Sequence, residues 1–313
     1  MEPTDQSLVQ LGMALKDKGY RFTTVTPLSH ARVNARPDNA VARTLEDVFG
    51  WSRPFRSEML PTPWLQLLTE AVCVTEDRGL LKSTVRFSSL DTLLLAHSCF
   101  PTKGADTVFF GPDTYRFVRA IKAELAASPS LTIRRLIDIG CGSGAGGLAA
   151  AGSLPDAPTV VLTDINPEAL RFAQINAAIN GIPNVEAIKS DVLGNIADAA
   201  DLIIANPPYL LDPSERLYRH GGGTWGGALS LRIVRESLAR LTRDGCLLLY
   251  TGTPIINGHD PFLAAVRDVL DAGRVTWRYE EIDPDVFGEE LDRDAYLAAD
   301  RLAVVLLTVN RNE

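Results

Sequence analysis

Four short strand-like runs end on polar side chains, and this constrains the fold more than any other feature of the chain. The runs are Ile133 to Ile139, Val160 to Thr163, Val185 to Ser190 and Asp201 to Ala205. Their lengths and apolar content suit strands buried in a sheet. Helical stretches lie between and around them, at Asp113 to Ala127, Gly146 to Ala151, Pro167 to Asn180, Ala228 to Leu241 and Pro261 to Ala272. Pro167 opens one of these and Gly181 closes it, each in its favoured place. Further strands fit Gly245 to Thr251, Val275 to Ile282 and Leu302 to Val309. Such alternation predicts an α/β fold, with a mostly parallel sheet covered by helices on both faces. Asp138, Asp164, Asp191 and Asn206 then share one sheet edge, where open α/β sheets bind ligands.

The residues at that edge suggest a ligand with several polar ends. Asp138-Ile139-Gly140-Cys141-Gly142-Ser143-Gly144 reads G-x-G-x-G after an acid. The glycines allow a tight strand-to-helix turn and close ligand approach. A carboxylate at 138 would repel a pyrophosphate but suits an ammonium group. Asp164 stands where an acid accepts ribose hydroxyls in nucleotide-binding βαβ units. Asp191 could accept from an adenine amino group or orient the neighbouring backbone; both acids also read as helix caps. Asn206-Pro207-Pro208-Tyr209 is a clamp for a planar nitrogen. The Asn206 side chain and the Pro207 carbonyl can accept from an NH2 group, the prolines remove competing donors, and the Tyr209 ring can stack on a flat amide or base.

On these residues the chain resembles a class I S-adenosylmethionine-dependent methyltransferase of the N-methylating branch. Asp138 to Gly144 resembles that family's motif I, Thr163-Asp164-Ile165-Asn166 its ribose-binding segment, and Ser190-Asp191-Val192 its adenine-side segment. Asn206-Pro207-Pro208-Tyr209 resembles the catalytic motif of protein-glutamine, adenine and some guanine N-methyltransferases. The chain looks most like release-factor glutamine methyltransferases and the small-domain methyltransferase family. Phe109-Phe110-Gly111-Pro112-Asp113-Thr114-Tyr115 stands where they place a segment over the methyl donor. The resemblance implies a Rossmann-like sheet of seven strands, the last inserted antiparallel. It implies S-adenosyl-L-methionine held by Asp138, Gly140, Cys141, Gly142, Gly144, Asp164, Ile165, Asp191, Val192, Asn206, Phe110 and Tyr115. Asn206, Pro207 and Tyr209 would be catalytic. One stretch departs from the family: Tyr218 to Gly227 lacks its usual Glu-Pro pair and Gly-Gly-x-Asp-Gly run, although Arg232 matches a familiar arginine.

The chain divides near residue 105. Residues 1–105 read as an N-terminal α+β, winged-helix-like domain that recognises the acceptor or closes the site; residues 106–313 form the donor-binding domain. Helices fit Ser7 to Lys18, Ala40 to Phe49 and Pro63 to Ala71, with a hairpin across Glu76-Asp77-Arg78-Gly79. Net charge is −8 and the pI about 5.2, which argues against broad nonspecific nucleic-acid binding. A local basic groove and the winged-helix-like unit leave nucleic-acid contact open; Arg32, Arg36, Arg43, Arg53 and Arg56 crowd one short span, which reads first as solvated surface. Cys73, Cys99, Cys141 and Cys246 are scattered singly and the histidines lack ligand spacing, so no metal is expected. With no signal-peptide core or membrane-length apolar run, a cytoplasmic protein is expected. Three functions follow: methylation of a protein glutamine or nucleobase, methylation of a small molecule under an N-terminal lid, or a silent donor-binding partner subunit.

Overall fold

The computed structural model describes residues 1–101, 104, 106–128, 131–212 and 219–312. Helix α1 (Pro3–Asp17) is followed by α2 (Pro27–Asn34), α3 (Leu45–Phe49) and α4 (Thr62–Glu70). Two antiparallel hairpins come next: β1 (Val74–Asp77) with β2 (Leu80–Ser83), and β3 (Val85–Leu90) with β4 (Leu93–Ser98). The first lies where a hairpin is expected, but Glu76 and Asp77 belong to its first strand and its second strand ends at Ser83. Its turn residues Arg78 and Gly79 both take positive φ, 52° and 77°, as a two-residue primed turn requires. The helix expected from Ala40 is shorter, because a capping box between Thr44 and Asp47 starts it at Leu45. Helix α2, capped by Thr26, and the second hairpin go beyond the sequence expectation.

The elements then alternate. Helix α5 (Pro112–Ala127), β5 (Arg135–Ile139), α6 (Ala145–Ala151), β6 (Thr159–Asp164), α7 (Pro167–Asn180), β7 (Val185–Lys189) and β8 (Ala200–Ala205) lead to α8 (Ala228–Leu238), β9 (Leu241–Ile255), α9 (Pro261–Asp271), β10 (Val275–Asp283) and β11 (Arg301–Arg311). Seven strands form one sheet in the order β10-β11-β9-β8-β5-β6-β7. β9, β8, β5, β6 and β7 run parallel, and β11 is antiparallel to both its neighbours. The Rossmann-like expectation holds, including the inserted last strand. The chain moves outward from β5 through β6 to β7, then returns to lay β8 on the other side of β5. Open α/β sheets bind ligands at that kind of switch point.

Packing divides the chain differently from a single cut. One compact unit comprises Met1–Arg116, Gly142–Ala145 and Glu168–Pro183; the other comprises Phe117–Cys141, Gly146–Pro167 and Asn184–Glu313. Most of α7 and part of the glycine turn thus pack with the N-terminal segment. In the first unit Phe172, Ile175 and Ile179 share a core with Leu8, Leu11, Phe49 and Phe87. In the second, Ile137, Ile203, Leu247 and Val305 from four strands meet Val234 and Val266 from two helices.

Two asparagines explain why α7 belongs to the first unit. Asn176 accepts from the Ala96 N–H (2.7 Å) and donates to the Ala96 carbonyl (2.9 Å); Asn180 makes the same pair with Leu94, at 3.0 and 2.9 Å. Placed four apart on one helix face, the two carboxamides satisfy backbone groups along β4 as a further strand would. Asn176 Nδ2 also donates to the Ser143 carbonyl at 2.9 Å, which ties the glycine turn to the same helix. Asn176 is fully buried, so Asn176→Ala leaves three backbone groups without a partner. About 2–5 kcal/mol of stability should be lost, measured by urea unfolding, and less for the half-buried Asn180→Ala.

Candidate active site

The carboxyl edge of the second unit gathers the predicted polar residues by strand register. Ile139 on β5 pairs with Ala205 on β8 and with Thr163 on β6. Gly140, Asp164 and Asn206 are the next residues on those three strands, and neighbouring strands lie about 4.8 Å apart. Beyond β6, Ser190 donates its backbone N–H to the Asp164 carbonyl at 3.1 Å, which carries the edge on to Asp191.

The glycine turn is held by its surroundings. Gly140, Gly142 and Gly144 all take positive φ, 67°, 53° and 79°, where a side chain would be strained. The buried Cys141 donates its backbone N–H to the Thr163 carbonyl at 2.9 Å. Asp138 is 2% exposed, and its Oδ2 accepts from the Gly147 N–H at 2.7 Å, near the start of α6. Burial raises the Asp138 carboxyl to about 7; the Gly147 hydrogen bond opposes this and the negative Asp164 adds to it.

Asp164 accepts from the Asn166 N–H at 2.9 Å, two residues on, in an Asx-type turn that precedes Pro167. Ile165 between them is 41% exposed, an apolar side chain left in the open at the sheet edge. Asp191 is engaged by Arg232, whose Nη1 donates to both carboxylate oxygens at 2.8 and 2.9 Å. The next residue, Val192, is buried at φ 52°. Asp191 caps no helix, and its carboxylate faces Arg232.

Asn206 is half-buried directly after β8, and among the described residues no hydrogen bond ends on its carboxamide. Pro207 is buried beside it. Tyr209 is 8% exposed, with its ring edge-on to Phe287 at 6.1 Å and lying against the backbone of Gly252. The glycine-rich segment after the tetrapeptide folds onto it. Gly221 donates its N–H to the Leu210 carbonyl at 2.8 Å, and a Cβ on Gly226 would lie 2.1 Å from the Tyr209 backbone carbonyl oxygen. Tyr218 lies outside the described residues.

Phe110 and Tyr115 sit in the first unit. The Phe110 ring stacks on His97 at 5.0 Å and meets Tyr115 edge-on at 5.4 Å; the Tyr115 hydroxyl accepts from the Thr24 N–H at 3.0 Å. Sequence reasoning missed Asn176 and Gly252. Two asparagines four apart on one face of α7 were a signal for the first; nothing in the sequence singles out the second. Among the described residues no group of three His, Cys, Asp or Glu side chains is arranged to hold a metal ion, and no helix is long and apolar enough to cross a membrane.

Comparison with known proteins bears out the resemblance to class I S-adenosylmethionine-dependent methyltransferases. Residues 119–254 match the family model of the methyltransferase small domain. Among curated proteins, the release factor glutamine methyltransferase of Deinococcus radiodurans is 33% identical over 169 residues, covering 50% of this chain and 55% of the relative. That of Lactococcus lactis is 34% identical over 155 residues, 45% of this chain and 54% of the relative. The chain thus spans about half the length of the curated relatives it matches. A tRNA methyltransferase crystal structure from M. jannaschii shares the fold, with a TM-score of 0.51 at 16% identity over 74% of this chain and 60% of that one.

Proposed function

We propose that the protein transfers a methyl group from S-adenosyl-L-methionine to a planar nitrogen, an amide or ring amine, of a macromolecular acceptor. The observation that carries this is the half-buried Asn206 carboxamide, unpaired among the described residues and one strand from the left-handed Gly140 at the switch point of the sheet. The relatives' names, release factor glutamine methyltransferase, favour a protein glutamine amide. Residues 1–105 would serve acceptor recognition.

The residues present suit the donor. Asp164 offers its carboxylate to the ribose hydroxyls at a strand end, and the exposed Ile165 offers the adenine an apolar surface. Gly140, Gly142 and Gly144 admit the methionine portion to the backbone. Asp191 holds its loop through Arg232 rather than meeting the base with its carboxylate. S-adenosylmethionine supplies a methyl group on a positive sulfonium, ready for in-line displacement. Asn206 Oδ1 and the Pro207 carbonyl would accept the two N–H groups of the acceptor and so orient its nitrogen for transfer. Both oxygens stabilise the charge that grows on nitrogen until a proton leaves to water.

Two measurements test this. Methyl-labelled donor incubated with separated protein, RNA, DNA and metabolite fractions should label the protein or nucleic-acid fraction at nitrogen. Label in metabolites alone, or none anywhere, would overturn the reading. The second is pH dependence. With its folded pKa at about 7 against 3.8 unperturbed, Asp138 is mostly protonated below neutrality in the free protein. The donor's ammonium favours the carboxylate form, so affinity should rise as pH climbs toward 7 and level off above it. The limiting slope is about tenfold per pH unit. Asp138→Asn should flatten the profile; an equally steep profile in the variant would remove Asp138 from this role.

A further inference from the structure

Phe287 in the second unit combines a bulky side chain on strained backbone with a ring set against the aromatic of the candidate tetrapeptide. It lies in the connection between β10 and β11. β11 begins at Arg301, paired with Ile255 at the end of β9, and β9 runs parallel to β8. The connection therefore sits at the carboxyl edge of the sheet, where Asn206 follows β8. Phe287 takes φ 54° and ψ 41°, in the left-handed region. A bulky side chain is uncommon there and persists only where its surroundings hold it. Glycine would fit this backbone without strain, so the turn itself does not call for an aromatic. Tyr209 supplies a reason for one: its ring lies 6.1 Å away, edge-on, and among the described residues Phe287 meets no other ring. Edge-on pairing sets the direction of a ring as well as its place.

The surroundings hold Phe287 from both sides. Val286 donates its N–H to the Leu302 carbonyl at 2.8 Å, and Glu290 donates its own to the Phe287 carbonyl at 2.8 Å. The Glu290 side chain is buried and pairs with Arg219. Arg293 Nε stands 2.9 Å from its other oxygen, close enough for an ion pair but out of line for a hydrogen bond. The Arg219 carbonyl accepts from the Leu210 N–H at 3.1 Å, and the Tyr296 hydroxyl accepts from the Leu211 N–H at 2.8 Å. The segment that carries Phe287 is thus fastened to the two residues after Tyr209. A carboxylate buried between arginines gains little stability over apolar packing; its best-attested use is to fix one arrangement. We propose that Phe287 is a positioning residue on the acceptor side: its ring sets Tyr209 in the direction needed to stack on the acceptor's planar nitrogen group, and the Glu290 ion pairs keep it there. The inference rests on the transfer reading above and adds to it a residue that acts through Tyr209.

The test compares variants at 287 in label transfer from S-adenosylmethionine, with separated protein and nucleic-acid fractions titrated as acceptors, and in donor affinity by calorimetry. Phe287→Ala should lower transfer at limiting acceptor by roughly 3- to 10-fold, the worth of one aromatic pair, with donor affinity unchanged. Phe287→Gly lacks the ring as well but relieves the positive φ. It should melt above Phe287→Ala and yet transfer no better, a split that a merely structural role would not produce. Phe287→Tyr keeps the ring and should stay within about twofold of the wild type. Recovery of transfer in Phe287→Gly would mean that the backbone and not the ring is at work, and would overturn the inference. So would wild-type transfer in Phe287→Ala, or a parallel loss of donor affinity. Each of these outcomes leaves the transfer reading standing. A wild-type protein that binds the donor but labels neither fraction would overturn that reading and this inference with it.

Discussion

Replacing Asn206 with alanine is expected to lower methyl-transfer turnover by about 100- to 1,000-fold while leaving donor affinity within a few-fold. The reasoning runs from its place in the fold. Asn206 follows a strand whose preceding residues, Leu202 to Ala205, are fully buried, so its main chain is fixed. Among the described residues no hydrogen bond ends on its carboxamide. Alanine therefore removes an acceptor without unmaking any internal bond, and the fold should be little affected. What disappears is an interaction that strengthens as the acceptor nitrogen gains positive charge, which belongs to the transition state. Asn206→Asp makes a useful companion, since it keeps an acceptor oxygen at that place, exchanges the amide nitrogen for a second oxygen and adds a negative charge. It should bind donor at least as tightly while losing the neutral geometry that orients the acceptor. Single-turnover rates with saturating donor, together with donor affinity by calorimetry, separate the two effects. Equal rates for wild type and Asn206→Ala would remove Asn206 from the chemistry.

The sheet and its edge were legible in the sequence because each strand there is a buried run that stops at a turn residue with a chemical reason to be present. The glycines at 140, 142 and 144 all take positive φ, and the acids at 138 and 164 both bond backbone close by. These are local relations, and local pattern reveals them. The N-terminal unit was less legible for the opposite reason. Its second hairpin is secured by Asn176 and Asn180, which lie some eighty positions further along the chain. Its core takes Phe172 and Ile175 from a helix that a linear reading gives to the sheet. Tyr209 was legible as an aromatic after two prolines, but not the surface that holds it.

That surface sets up the second large effect. A Cβ on Gly252 would lie 2.2 Å from Tyr209 Cδ2 and 2.4 Å from Cε2, far inside contact distance. Gly252 sits within β9, paired with Val304 on β11, so its backbone has little room to retreat. The Tyr209 backbone cannot yield either, because the Gly226 backbone is packed against its carbonyl. The ring must swing away from the place where it would stack on the acceptor. Gly252→Ala is therefore expected to lower turnover by roughly 10- to 100-fold, as small misplacements at reacting centres do. Overpacking should also cost about 1–3 kcal/mol of stability. A double-mutant cycle with Tyr209→Ala separates displacement of the ring from general damage. If the ring is the cause, adding Gly252→Ala to Tyr209→Ala should change turnover little, since the obstructed group is already gone. Fully additive losses would mean that Gly252 acts through the sheet rather than through Tyr209. Unchanged turnover in Gly252→Ala alone would mean that the position of this ring does not matter to transfer.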